Sequence, residues 1–129
     1  MSLQAILIIG TGGFIGTILR YLCGQMINTG NTSGFPFATL MVNLLGCFAI
    51  GLIYGYFDKY HTAPPDWKNF LTIGVCGGFT TFSAFSFENL TMMREGQWAG
   101  FGIYVFVSVA GGLCLTFLGT ILAKSFGAQ

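Results

Sequence analysis

The sequence predicts an all-α membrane protein, with four transmembrane helices in a single domain covering residues 1–129. Three observations lead there. Lys and Arg number five and Asp and Glu four in the whole chain, against a hydrophobic fraction of 53%. Mean hydropathy is +0.74. A soluble domain needs far more polar surface than this, so the solvent is lipid. The apolar residues also fall into four runs, each about the ~20 residues that a hydrocarbon core of roughly 30 Å requires.

The runs are expected at about 3–26, 35–57, 69–93 and 97–123, joined by the short polar links "NTGNTSG", "DKYHTAPPDWK" and "REGQ". In the first helix, Gly12 and Gly16 make a small-xxx-small pair, as do Gly51 and Gly55 in the second and Ser108 and Gly112 in the fourth. Such pairs let helices approach closely, and plain packing accounts for them. Arg20 is placed at the end of the first helix, where it either snorkels to the interface or draws anions to a pore mouth. In the second helix Thr39 and Asn43 are four apart and share a face. A hydroxyl at such a position can bond its own i−4 carbonyl, which also serves for Ser108 and Thr116. The Asn43 carboxamide has more hydrogen-bonding capacity than that, and is left between a pathway residue and an interhelical clasp. In the fourth helix Tyr104, Ser108 and Thr116 form a polar stripe at multiples of four.

The third run carries the unusual stretch, "VCGGFTTFSAFSFEN". Gly77 and Gly78 each cost a helix roughly 1 kcal/mol relative to Ala. The β-branched Thr80 and Thr81 follow directly, so the third helix is expected to be broken at Gly77–Thr80. Lipid cannot satisfy freed backbone groups, so protein, water or an ion must. Freed carbonyls suit a cation, and hydroxyls and amides suit an anion. Phe82 and Phe85 are three apart, on one helical face. Their positive ring edges can face an anion without a fixed charge. Glu88 is expected near an interface and is given no place in a pathway.

Lys59, Lys68 and Lys124 fall on one side of the membrane and Arg20 and Arg94 on the other. Three against two is almost no bias, so insertion in both orientations is expected.

Other readings fail on the residues. A net charge of +1 gives no surface for nucleic acid. Cys23, Cys47, Cys76 and Cys114 fall one per run, with no metal spacing, and read as small buried hydrophobes. His61 sits in a link with Asp58 and Asp66 nearby, which does not make a metal site. "GTGGFIG" lies in an apolar span with no acidic partner before Asp58, which rules out a dinucleotide loop. No nucleophile has an evident base, so the chain is not expected to be an enzyme.

The sequence resembles the Fluc/CrcB fluoride channels over essentially its whole length. The resemblance rests on "GGFIGTILRY", "ATLMVNLLG" and, most specifically, "CGGFTTFSAFS". Ala38 stands where the family often has Gly, Ala84 where it often has Thr, and Gly112 lacks a hydroxyl that many relatives carry. The resemblance implies an antiparallel, dual-topology homodimer in the cell (inner) membrane, with two pathways that export fluoride passively. Asn43, Phe82 and Phe85 would line them, with Tyr104 and Ser108 on the polar track and Thr39 one turn before Asn43. The carbonyls of Gly77 and Thr80 would hold a structural Na+ at the dimer centre. Neutral donors and ring edges hold fluoride weakly enough for it to leave again. The competing classes are a proton-coupled exporter like the small multidrug-resistance proteins, and a membrane assembly subunit that transports nothing.

Overall fold

A computed structural model describes residues 2–29, 34–60 and 64–125; His61 lies outside the described residues. The described residues are helical, with no strand among them, and form four helices long and apolar enough to cross a membrane. These are α1 (Leu3–Asn28), α2 (Phe37–Lys59), α3 (Asp66–Arg94) and α4 (Trp98–Ser125).

Local chemistry sets the ends. The Ser2 hydroxyl caps α1 by accepting from the Ala5 N–H at 3.2 Å. Pro36 precedes α2 and Pro64 precedes the start of α3, where a missing N–H costs nothing. α3 and α4 are joined by a turn at Glu95–Gly96 in which Gly96 takes φ +72°, a conformation that favours glycine.

Inside α3 the winding changes twice. Phe70–Cys76 is wound as a π-helix and Gly77–Phe79 as an α-helix. Thr80 (φ −82°, ψ 158°) and Thr81 (φ −148°, ψ 117°) are extended, and helix resumes at Phe82. Gly77 itself keeps helical angles (φ −64°, ψ −38°), so the departure falls on the threonines rather than on the glycines. α4 also has a π-helical turn, at Val107–Gly111.

The helices pack as two close pairs, α1 with α3 and α2 with α4. Glycine makes both approaches possible. A Cβ on Gly16 would collide with the Val75 carbonyl of α3, and one on Gly51 with the Thr116 carbonyl of α4. Lipid tails are as apolar as the side chains they would replace, so close backbone contact holds such pairs in place of hydrophobic burial. The α2–α4 seam is also bonded directly. Thr116 donates to the Cys47 carbonyl at 3.0 Å and Thr120 to the Gly51 carbonyl at 3.2 Å. At the far end of the seam, Lys59 Nζ donates to the Lys124 carbonyl at 2.7 Å.

Two further expectations change. Arg20 does not end α1, which runs on to Asn28, because "YLCGQMIN" holds no residue strong enough to stop a helix. Eight residues at 1.5 Å put Arg20 about 12 Å inside that end. The cysteines are not all buried: Cys76 is, Cys23 and Cys47 are partly covered, and Cys114 is exposed on the outer face of α4.

Candidate functional site

The extended pair Thr80–Thr81 is held by Asn43. The Thr81 N–H donates to Asn43 Oδ1 at 2.8 Å, and Asn43 Nδ2 donates to the Thr81 carbonyl at 3.0 Å. The carboxamide thus replaces the bond that a helix would have supplied to the Thr81 N–H and adds one to its carbonyl, which as the N-cap also accepts the first bond of the resumed helix. In a continuous helix the Thr81 N–H would bond the Gly77 carbonyl; here that carbonyl is released from the ladder. The Thr81 hydroxyl accepts from the Ala84 N–H at 3.3 Å and restarts the helix as an N-cap. Thr80 Oγ1 turns back to the Cys76 carbonyl at 2.9 Å.

Beside this clasp lies a cavity of about 350 Å³. Asn43, Gly77, Thr80, Thr81, Phe82, Phe85 and Ser108 line it. The Phe82 and Phe85 rings are 5.7 Å apart at 40°. Phe82 is 79% exposed, while Phe85 is half-buried and packs on Tyr104 with ring centres 5.0 Å apart. Ser108 sits in the π-helical turn of α4, and its buried Oγ has no hydrogen-bond partner among the described residues. π-Turns of this kind recur at functional sites. An orphaned hydroxyl against apolar walls is a donor with nothing to donate to.

A second cavity, of about 220 Å³, has Arg20, Gln25, Thr39 and Thr81 among its walls. Thr81 is common to both spaces, so Arg20 and the phenylalanines lie on either side of the same residue.

Thr39 and Tyr104 are occupied by a third group. Glu88 accepts from Thr39 Oγ1 at 2.6 Å and from the Tyr104 hydroxyl at 2.6 Å. Tyr104 is fully buried, beside Leu40 and Met92. Both bonds are charge-assisted and short.

Of the residues expected at the site, Asn43, Gly77, Thr80, Phe82, Phe85 and Ser108 meet at the larger cavity. Arg20 and Thr39 face the smaller one, and Tyr104 stands behind Phe85. Thr116 leaves the polar stripe for the α2–α4 seam. None of the three hydroxyls expected to bond its own helix does so: Thr39 bonds Glu88, Thr116 bonds Cys47 and Ser108 is unpartnered. Glu88 is the residue that sequence reasoning missed. The spacing held part of the signal, since Phe85 and Glu88 are three apart and adjoin on the helix surface. Among the described residues, no group of His, Cys, Asp and Glu could hold a metal ion.

The family model for CrcB-like protein, Camphor Resistance (CrcB), matches residues 7–120. Among curated proteins, the chain is 43% identical to a fluoride-specific ion channel FluC of Flavobacterium psychrophilum, covering 95% of this chain and 98% of that one. It is 44% identical to a protein of the same name from Chlorobaculum tepidum, over 96% and 98% of the two chains. A Leptospira interrogans relative, also so named, is 42% identical over 95% and 97%.

Proposed function

Because the chain belongs to the CrcB-like (camphor resistance) family, we propose that it is a fluoride-selective ion channel, not an enzyme, that passively releases fluoride from the cytoplasm across the cell membrane. The observation that carries the reading is the Ser108 hydroxyl, buried and unpartnered in a cavity walled by Phe82, Phe85 and Asn43. Fluoride is small and strongly hydrated, so it enters lipid depth only where other donors replace its water. Here the donors are neutral, and the aromatic edges add attraction without a countercharge. Such a site binds weakly enough for the ion to leave. Arg20 raises the local anion concentration on the far side of Thr81. Tyr104 and Thr39 already give their protons to Glu88, so either must leave that carboxylate before it can donate to the ion.

The functional unit in this reading is an antiparallel homodimer inserted in both orientations. Gly77, Ser108 and Asn43 line a cavity on the outer face of one chain. Polar groups at membrane depth cannot face lipid, and a second copy is the simplest cover. The interrupted third helix then has a purpose. The Gly77 carbonyl, freed when Thr81 turns to Asn43, and that of Thr80 offer neutral oxygens of the kind that suits Na+. Those two carbonyls from each copy would hold the ion, whose charge would favour anions nearby. Fluoride flux after sodium is replaced by a bulky organic cation tests this: undiminished flux on a stable dimer removes the ion from the design.

Glu88 gives the proton-coupled exporter its one supporting observation, because that class needs a carboxylate at membrane depth. A fluoride-electrode efflux assay on liposomes at equal pH inside and out separates the readings. A channel passes fluoride, an exporter needs the pH gradient, and an assembly subunit passes nothing. Phe82→Ile and Phe85→Ile keep bulk and remove the ring edge. Each is expected to cut flux by about tenfold or more, the equivalent of roughly 1.4 kcal/mol. Wild-type flux in both would make the rings packing alone.

A further inference from the structure

At the end of the bundle that carries Lys59 and Lys124, two more cavities meet along Pro64 and Trp67. The larger, about 550 Å³, is apolar, with Leu52, Ile53 and Leu71 in its walls. The smaller, about 360 Å³, holds Gln4, Asp66 and Phe70. Gln4 Nε2 donates to Asp66 Oδ2 at 3.5 Å, which leaves the Gln4 carbonyl and the second carboxylate oxygen as acceptors. Among the described residues Asp66 has no ion-pair partner. Trp67 stands between the two spaces, 60% exposed, with the Phe70 ring edge-on to it at 5.8 Å.

We propose that this joined pair of cavities binds one phospholipid with a primary ammonium headgroup, phosphatidylethanolamine. An acyl chain fills the apolar cavity, and the ammonium rests on Asp66 and Gln4. The charges select the headgroup. A carboxylate without a cation attracts an ammonium and repels an anionic lipid. Two free acceptors call for N–H donors, which a primary ammonium has and a quaternary one lacks. Lys59 donates to the Lys124 carbonyl and Lys68 lies over the Tyr54 ring at 4.7 Å; both partners are neutral, so the two ammoniums keep their charge and an anionic lipid is the rival that the test must separate. α3 begins here, and tryptophans at the ends of membrane-length helices are enriched at the headgroup level, where the Trp67 ring face can share the cation.

Tryptophan quenching tests this. The chain has two tryptophans, so Trp98→Phe leaves Trp67 as the only reporter. That variant goes into phosphatidylcholine vesicles containing a minor, equal fraction of tail-brominated phosphatidylethanolamine, phosphatidylglycerol or phosphatidylcholine. The ethanolamine lipid is expected to quench Trp67 about twofold more than the choline lipid, a preference of roughly 0.4 kcal/mol. Asp66→Asn should abolish the difference, and Gln4→Ala, at an exposed position, should reduce it. Equal quenching by all three lipids means ordinary surrounding lipid and overturns the proposal. So does stronger quenching by phosphatidylglycerol, or an ethanolamine preference that survives Asp66→Asn.

Discussion

The Glu88 cluster and the Ser108 cavity are built from the same parts, aromatic rings and hydroxyls, on neighbouring turns of α3 and α4, and they are finished in opposite ways. At Glu88 each hydroxyl has an acceptor: Thr39 and Tyr104 both bond the carboxylate at 2.6 Å. At Ser108 the hydroxyl has none. The backbone repeats the contrast within two residues. A Cβ on Gly78 would collide with the Gly13 carbonyl of α1, whereas one on Gly77 would meet only the Thr72 carbonyl, at 3.8 Å. α3 therefore has one wall closed against its own chain and one wall left open. A satisfied polar group holds a fold together; an unsatisfied one is available to a ligand or a second copy.

The largest effect is expected where the closed wall is forced. Gly78→Val places bulk against the α1 backbone, which cannot move aside as a flexible side chain would, and should leave no folded protomer. Gly77→Val has room within the chain and should fold, as seen by its helical signal in detergent. If the open wall is covered by a second copy, the same variant should fail to dimerise. A Gly77→Val dimer of normal size and flux would show that the open wall is not an interface.

Next comes the cluster. Glu88→Ala strands two hydroxyls, the Tyr104 one wholly buried, at about 1–3 kcal/mol each. Glu88→Gln should recover most of that, because a carboxamide accepts from one hydroxyl and donates to the other. Denaturant unfolding in detergent measures both. Equal stability of the Ala variant and wild type would mean that the carboxylate is incidental to the fold. The contrast with the cavity would then lose its closed half.

The four membrane-length helices were legible because roughly 20 apolar residues in a row have few other structural outcomes. Helical spacing paired residues only within a helix, such as Phe82 with Phe85; that Asn43 and Ser108 belong with them was an expectation from the family resemblance, and the four line one cavity. What stayed hidden depended on partners distant in sequence. The dihedral departure lies at Thr80–Thr81 rather than from Gly77, because Asn43, 38 residues away, supplies the bonds that make it affordable just there. Glu88 looked like an interfacial acid because its partner Tyr104 is 16 residues on, across a turn. Thr116 kept the period of the stripe but not its surroundings. The π-helical turn at Val107–Gly111 adds a residue's worth of rotation between it and Tyr104.

The smallest effects on stability should be the most informative about function, and Ser108 and Thr116 form the pair that shows it. Both are single hydroxyls on α4, eight residues apart. Ser108→Ala removes a donor that bonds nothing in the protein, so stability should stay within about 0.5 kcal/mol of wild type or rise slightly. If the hydroxyl serves the passing ion, flux should nevertheless fall. One neutral hydrogen bond of about 1 kcal/mol corresponds to roughly fivefold in rate. Thr116→Ala reverses the pattern. It loses the bond to the Cys47 carbonyl, at about 0.6 kcal/mol for such a contact in a membrane bundle, while flux stays as it was. Unfolding and fluoride efflux measured on the same two preparations give four numbers. Parallel losses in both variants would mean that both hydroxyls are packing. A loss of flux confined to Ser108→Ala would mark the unpartnered oxygen as a donor reserved for the ion.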